Sequence, residues 1–185
     1  LPAEQLRPDI ARRRYWWKKY LPRIDISRFV CIDETWIKTN MTRLRGWCRK
    51  GQRLAAKLPH GHWKTLTFIA ALRADGLTAP GVLDGPVNRL SFEAYVEQIL
   101  VPNLRPRDIV IMDNLNSHKG DAVRHMIRKA GAHLLFLPAY SPDLNPIEQA
   151  FSKFKELMRK AEERTIDGLW RAAGKLIPSF PAQEC

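Results

Sequence analysis

Two short runs, FVCID at 29–33 and IVIMD at 109–113, share one grammar: four apolar residues and then an aspartate. Runs this short and this rich in Val, Ile and Phe favour buried strands over helices. Each acid then falls at the carboxyl end of its strand, where open α/β sheets place their sites. If the two strands are parallel neighbours in equal register, Asp33 and Asp113 stand level. Alternation puts Asp33 with Phe29 and Cys31, and Asp113 with Ile109 and Ile111, so one sheet face can hold both carboxylates. For a single aspartate, a strand-end turn or a helix cap is the simpler role. For a matched pair that role is weaker.

The remaining pattern supplies a sheet and its cover. Residues 46–54 and 63–73 read as further strands, turned by 51–62 and by Asp75-Gly76, and 77–87 as a short strand weakened by Pro80 and Pro86. From Leu90 the period lengthens. Phe92, Val96, Ile99 and Leu100 mark an amphipathic helix stopped by Pro102. Ala122, Val123, Met126, Ile127 and Ala130 mark another, with Gly131 as its C-terminal stop. HLLFL at 133–137 reads as a third buried strand. A long helix from Pro146 carries Ile147, Phe151, Phe154 and Met158 on one stripe, and a last helix at about 166–177 ends before Pro178. Strands that first meander and then alternate with helices describe a mixed α/β sheet with helices on its faces. No internal repeat, low-complexity tract or second domain is visible.

With 185 residues, 45% of them apolar, the chain is sized for one folded domain. Its 31 basic and 19 acidic residues leave +12, which suits a polyanionic partner. The charge is dense in RRRYWWKKYLPR at 12–23, a helix or arm ending near Pro22. That segment reads equally as a linker with Trp16 or Trp17 packed on the domain and as a DNA-contacting arm. In the second reading Arg12, Arg13, Arg14, Lys18 and Lys19 meet phosphates. Cys31, Cys48 and Cys185 lack metal-ligand spacing and suit a reducing cytosol. Neither a membrane-length apolar run nor a signal-peptide pattern is present. A first residue of Leu leads us to expect a piece of a longer product.

The stretch LPAYSPDLNPIEQAFSKFK at 137–155 reads first as helix capping: Asn145 as N-cap, Pro146 at the first helical position and Glu148 at N3, a capping box. Helix geometry also puts Glu148 roughly 60° from Phe151, at the margin of the apolar stripe. A carboxylate there points along the sheet. Three acids meeting in a partly buried cleft repel one another unless a cation neutralises them. Hard divalent ions fit oxygen ligands, and Mg²⁺ takes one or two carboxylates while keeping room for water and phosphate. Two such ions activate a water or 3′-OH on one side and stabilise the leaving oxygen on the other.

DETW at 33–36, RGWCRKGQRL at 45–54, VIMDNLNSHK at 110–119 and the 137–155 stretch together resemble the catalytic domain of bacterial insertion-sequence transposases of the mariner superfamily. The likeness runs from about residue 13 to the end. It implies a DDE endonuclease with a ribonuclease-H-like fold: an α/β mixed five-stranded sheet with helices on both faces over residues 26–185. A basic linker or helix at 1–25 precedes it, and the family's N-terminal helix-turn-helix region is absent. Asp33, Asp113 and Glu148 match the catalytic, metal-binding triad, with thirty-four residues between the last two as in the family pattern. Mg²⁺ or Mn²⁺ is implied, two ions per site. Glu34, Asn114, His118 and Asn145 fall in these motifs as supporting residues and Lys119 as a DNA contact, while Lys155, two turns after Glu148 on nearly the same helix face, is placed to meet a DNA phosphate. His118 also reads as a helix-cap residue, Lys155 as a solvated lysine, and His60 and His62 as loop polarity. Implied partners are double-stranded DNA, namely element ends and a TA-containing target, and a second copy of the chain. A bacterial cytoplasmic setting on the nucleoid, with no membrane, completes the expectation. The activity is cleavage and strand transfer in cut-and-paste transposition. The alternatives are an inactive remnant that binds DNA or a full-length transposase, and a general nuclease acting on hybrids or junctions.

Overall fold

The computed structural model describes residues 3–55, 58–114 and 120–184. Five strands form one sheet: β1 (Phe29–Lys38), β2 (Thr65–Arg73), β3 (Gly76–Asp84), β4 (Ile109–Met112) and β5 (His133–Phe136). Their order is β3-β2-β1-β4-β5. The first three strands form an antiparallel meander, and β4 and β5 then add in parallel beside β1.

Helix α1 (Pro8–Tyr20) precedes the sheet. Helix α2 (Arg89–Tyr95) starts on a capping box between Asn88 and Ser91, and widens into a π-helical turn at Val96–Leu100 before Pro102. Helix α3 (Asp121–Lys129) ends at Gly131, whose φ of 78° is the left-handed stop anticipated there. Helices α4 (Ile147–Ala161) and α5 (Ile166–Leu176) close the chain.

Alternation along the strands divides the core in two. Cys31, Phe68, Ala70 and Ile111 face α4 and α5, meeting Phe151, Phe154, Met158 and Leu169. Val30, Ile32, Ile69 and Val110 face α2 and α3, meeting Phe92, Val96, Val123 and Ile127. Phe154 stacks on Phe68 at 4.2 Å between ring centroids, and Phe151 meets the same ring edge-on at 6.1 Å. Each such buried ring contributes about 1.5–3 kcal/mol relative to exposure. These contacts fix the height and rotation of α4 over the sheet, and hence of its first turn.

Three expectations change. Residues 46–54 form no strand: they lie exposed in the long connection between β1 and β2. β1 is already flanked by β2 and β4, so it offers no edge for them to join. The run at 133–137 is not a buried strand either. It supplies the outermost strand β5, with His133 and Leu135 exposed, because among the described residues no strand pairs beyond it. Pro80, by contrast, does not end its strand. β3 is the opposite edge, and Ala79 and Pro80 bulge out where the register slips between Ile69 and Ala71. The Tyr95 hydroxyl donates to the Ala79 carbonyl at 2.8 Å and secures the bulge.

Candidate active site

The matched strands meet as their grammar requires. β1 and β4 pair in parallel with Phe29 opposite Ile109, Val30 opposite Val110 and Cys31 opposite Ile111. That register, continued, sets Asp33 level with Asp113. Pairing with β4 stops at Cys31, whereas β1 stays bonded to β2 as far as Lys38. Asp33 therefore sits within a long strand rather than at its end, beside the point where its parallel neighbour leaves.

Asp33, Asp113 and Glu148 all line one cleft of about 440 Å³. Asn114, Leu137, Ala139, Tyr140 and Asn145 share its wall. Glu148 reaches it from the first turn of α4, where a carboxylate also suits the positive end of the helix dipole. Glu34, which alternation turns to the other face, has its backbone N–H 2.9 Å from Asp33 Oδ1.

Asn145 departs from its expected role. Its side chain caps no helical N–H, and no capping box forms with Glu148, although its carbonyl accepts the Glu148 N–H at 3.2 Å. Instead Nδ2 donates to Asp33 Oδ2 at 3.0 Å, with the Ile32 carbonyl at 3.4 Å. The bond to a carboxylate is charge-assisted and therefore strong, and it orients the amide so that Oδ1, the atom a cap would use, meets no helical N–H. The Asn145 Oδ1 is buried with no hydrogen-bond partner among the described residues.

Burial pushes the Asp33 carboxyl up to about 7. The Glu34 N–H pulls it down, and the negative charges of Glu34, Glu148 and Asp113 raise it further. Lys155, two turns along α4 from Glu148, is half-buried with its ammonium 4.8 Å from the Trp36 ring centroid. Burial lowers its pKa, Glu148 and Asp33 raise it, and Arg159 lowers it. Lys38 approaches the same ring at 4.5 Å. Sequence reading missed this lysine–tryptophan cluster. Its signal was the i, i+2 placement of Trp36 and Lys38 after the first acid.

The loop leading to Glu148 is tied to the N-terminal helix. Arg14, expected among the DNA contacts, turns inward: its Nη1 donates to Ser141 Oγ and Asp143 Oδ1 at 2.8 Å each, and Nη2 to Asp143 Oδ2 at 2.6 Å. A bidentate carboxylate near the helix is a stronger partner than solvent. The bond holds Asp143 below the usual carboxylate range. Gln5, buried, donates to the Tyr140 carbonyl at 2.6 Å. Tyr140 has φ 55°, a left-handed conformation uncommon for a side chain of its size. Arg12, Arg13, Lys18 and Lys19 stay exposed, with Lys19 over the Trp16 ring at 4.9 Å. His118 and Lys119 lie outside the described residues.

The donor set suits a hard divalent cation. Three carboxylates border the cleft, and burial together with mutual repulsion weighs on Asp33. Among the described residues, no three His, Cys, Asp or Glu side chains come close enough to hold one ion jointly.

The sequence model for DDE superfamily endonucleases matches residues 28–169, which include all three acids. The chain belongs to this family. Searching curated proteins by sequence gives no match. Among solved structures, this DDE endonuclease superposes on the Mos1 strand transfer complex with a TM-score of 0.75 at 22% identity, over 99% of this chain and 56% of that one. A pre-cleavage Mos1 transpososome gives 0.76 at 19% identity, over 100% of this chain and 58% of that one. The Mos1 transposase catalytic domain with Raltegravir and Mn gives 0.72 at 17%, over 100% and 86%. At these identities the likeness is one of fold, and it includes the ribonuclease-H-like mixed sheet with helices on both faces. The chain spans a little over half the length of the Mos1 chains in the strand transfer complex and the transpososome. No helix among the described residues is long and apolar enough to cross a membrane.

Proposed function

We propose that residues 26–185 are the catalytic domain of a DNA transposase, which hydrolyses phosphodiesters at the ends of a mobile element and joins the freed 3′-OH ends to target DNA. The observation that carries this reading is the convergence of Asp33, Asp113 and Glu148 on one cleft of a DDE-family chain. Mos1 structures described as paired-end and strand-transfer complexes, and as bound to Mn or Mg, support extending DNA and divalent metal to this chain.

Asp33, Asp113 and Glu148 would hold Mg²⁺ or Mn²⁺, two ions per site. Bound there, the ions lower the pKa of the attacking hydroxyl and stabilise the leaving oxygen. The rest of the work is positional. Asn145 and the Glu34 N–H donate to Asp33 and favour its ionised, ligating form. Lys155, whose ammonium lies over the Trp36 ring and interacts with the charges of Glu148 and Asp33, offers a cation to a phosphate that enters the cleft. The tie from Arg14 to Asp143 steadies the loop that sets Glu148. Double-stranded DNA is the substrate, as element ends and a TA-containing target, worked by two copies of the chain. Residues 1–25 act as a basic segment leading into the domain, with Arg12, Arg13, Lys18 and Lys19 free to meet phosphates.

The test is Mg²⁺- or Mn²⁺-dependent nicking of DNA carrying element ends. The wild-type chain is expected to nick it, and Asp113→Asn to bind the same DNA without cutting. Equal nicking by both removes the triad from the reaction.

A further inference from the structure

The carboxylate cleft continues past Pro138. Its wall residues Asn114, Leu137 and Pro138 also line a second groove of about 430 Å³ between α1 and the edge strand β5. That groove shares Leu135 with a third, of about 470 Å³, bounded by Arg124 and Arg128 of α3 and by Gly131 to Leu135. The three make one track along the outer edge of the sheet, from the acids to the start of β5.

The character of the track changes along its length. The cleft is acidic, the middle is aromatic with Arg13 at its rim, and the far end is basic. Among the described residues no carboxylate lines the second or third groove. Arg124 and Arg128 are exposed and one helical turn apart, so they stand side by side on one face of α3. Arg124 lies over the Phe136 ring at 5.0 Å, which holds its guanidinium against the strand. Among the described residues no strand lies beyond β5, and an edge strand is where backbone N–H groups can add further donors.

We propose that this edge is a DNA-backbone site: the duplex whose scissile phosphate enters the carboxylate cleft runs on across β5, with phosphates on Arg124 and Arg128. The occupant follows from charge complementarity, in a chain of net charge +12, and from continuity with the cleft. The proposal rests on the reading that the cleft acts on DNA.

The experiment is the salt dependence of binding to a labelled blunt duplex, followed by fluorescence anisotropy without divalent metal. Each phosphate contact contributes about 0.9 to the slope of log affinity against log salt, so Arg124→Gln with Arg128→Gln should reduce the slope by about 1.8. Arg171→Gln with Lys175→Gln, which removes the same charge from exposed positions on α5, should leave it unchanged. An unchanged slope in the first variant, or an equal loss in the second, overturns the site. Arg128→Gln alone, expected to lose about 0.9, decides the same question if the double variant does not fold. Nicking by the wild-type chain with an unchanged slope in the arginine variant removes this path and leaves the cleft reading intact. The predicted loss of slope in a chain that never nicks does the reverse.

Discussion

Strand β4 is bracketed by two aspartates, and the fold treats them in opposite ways. Before the strand, Asp108 is 3% exposed and Arg73, its partner, 5%. Their bidentate bridge closes at 2.5 and 3.2 Å, and the Arg105 N–H adds a bond at 2.7 Å. After the strand, Asp113 joins Asp33 and Glu148 around a cleft where the donors to Asp33 are a neutral amide and a backbone N–H. One end neutralises its buried acid with the chain's own arginine. The other gathers three carboxylates around an open cleft, with the Lys155 ammonium among the charges that act on Glu148 and Asp33. A fully buried acid bridged to an arginine serves the fold, whereas half-buried Asp33 and Asp113 and exposed Glu148 are gathered at an opening that a ligand can reach.

The contrast breaks most visibly if the two ends respond alike to losing their acids. Asp113→Asn should reduce metal-dependent nicking by several orders of magnitude while leaving the metal-free thermal midpoint near that of the wild type. Asp108→Ala should do the opposite. Stranding Arg73 inside the protein costs about 3–5 kcal/mol in urea unfolding, and nicking per folded molecule should stay unchanged.

Smaller effects sharpen the picture. Asn145→Ala leaves Asp33 without its amide donor and should weaken Mn²⁺ binding, measured by calorimetry, by about 10–100-fold. Arg14→Gln should act mainly on pH dependence. Asp143 has its pKa depressed in the fold by Arg14, so the bridge stabilises above the ordinary carboxylate value, near pH 4, and is lost as pH falls through the depressed one. Urea midpoints from about pH 5 down to pH 2 should therefore fall further in the wild type than in Arg14→Gln, by less than about 1 kcal/mol for a pair this exposed.

How far the sequence disclosed this arrangement depends on the range of the information. FVCID and IVIMD carry their burial and alternation in local pattern, so the two strands were legible, and the shared level and face of Asp33 and Asp113 followed on the condition of parallel pairing in equal register, which the sheet meets. Strand order is not local. Residues 46–54 look extended until β1 is seen to have both edges filled, and HLLFL looks buried until β5 proves outermost. The capping grammar at Asn145 was equally real, but its amide answers to Asp33, a carboxylate that only the folded chain brings near. Arg14 is indistinguishable from its basic neighbours until Asp143 is placed beside it.

The most direct test of the divided roles is anomalous diffraction from crystals of the chain soaked in Mn²⁺. Manganese peaks within bonding distance of the carboxylate oxygens of Asp33, Asp113 and Glu148 are the expected result. Peaks elsewhere on the surface, with that cleft empty at saturating Mn²⁺, would contradict it.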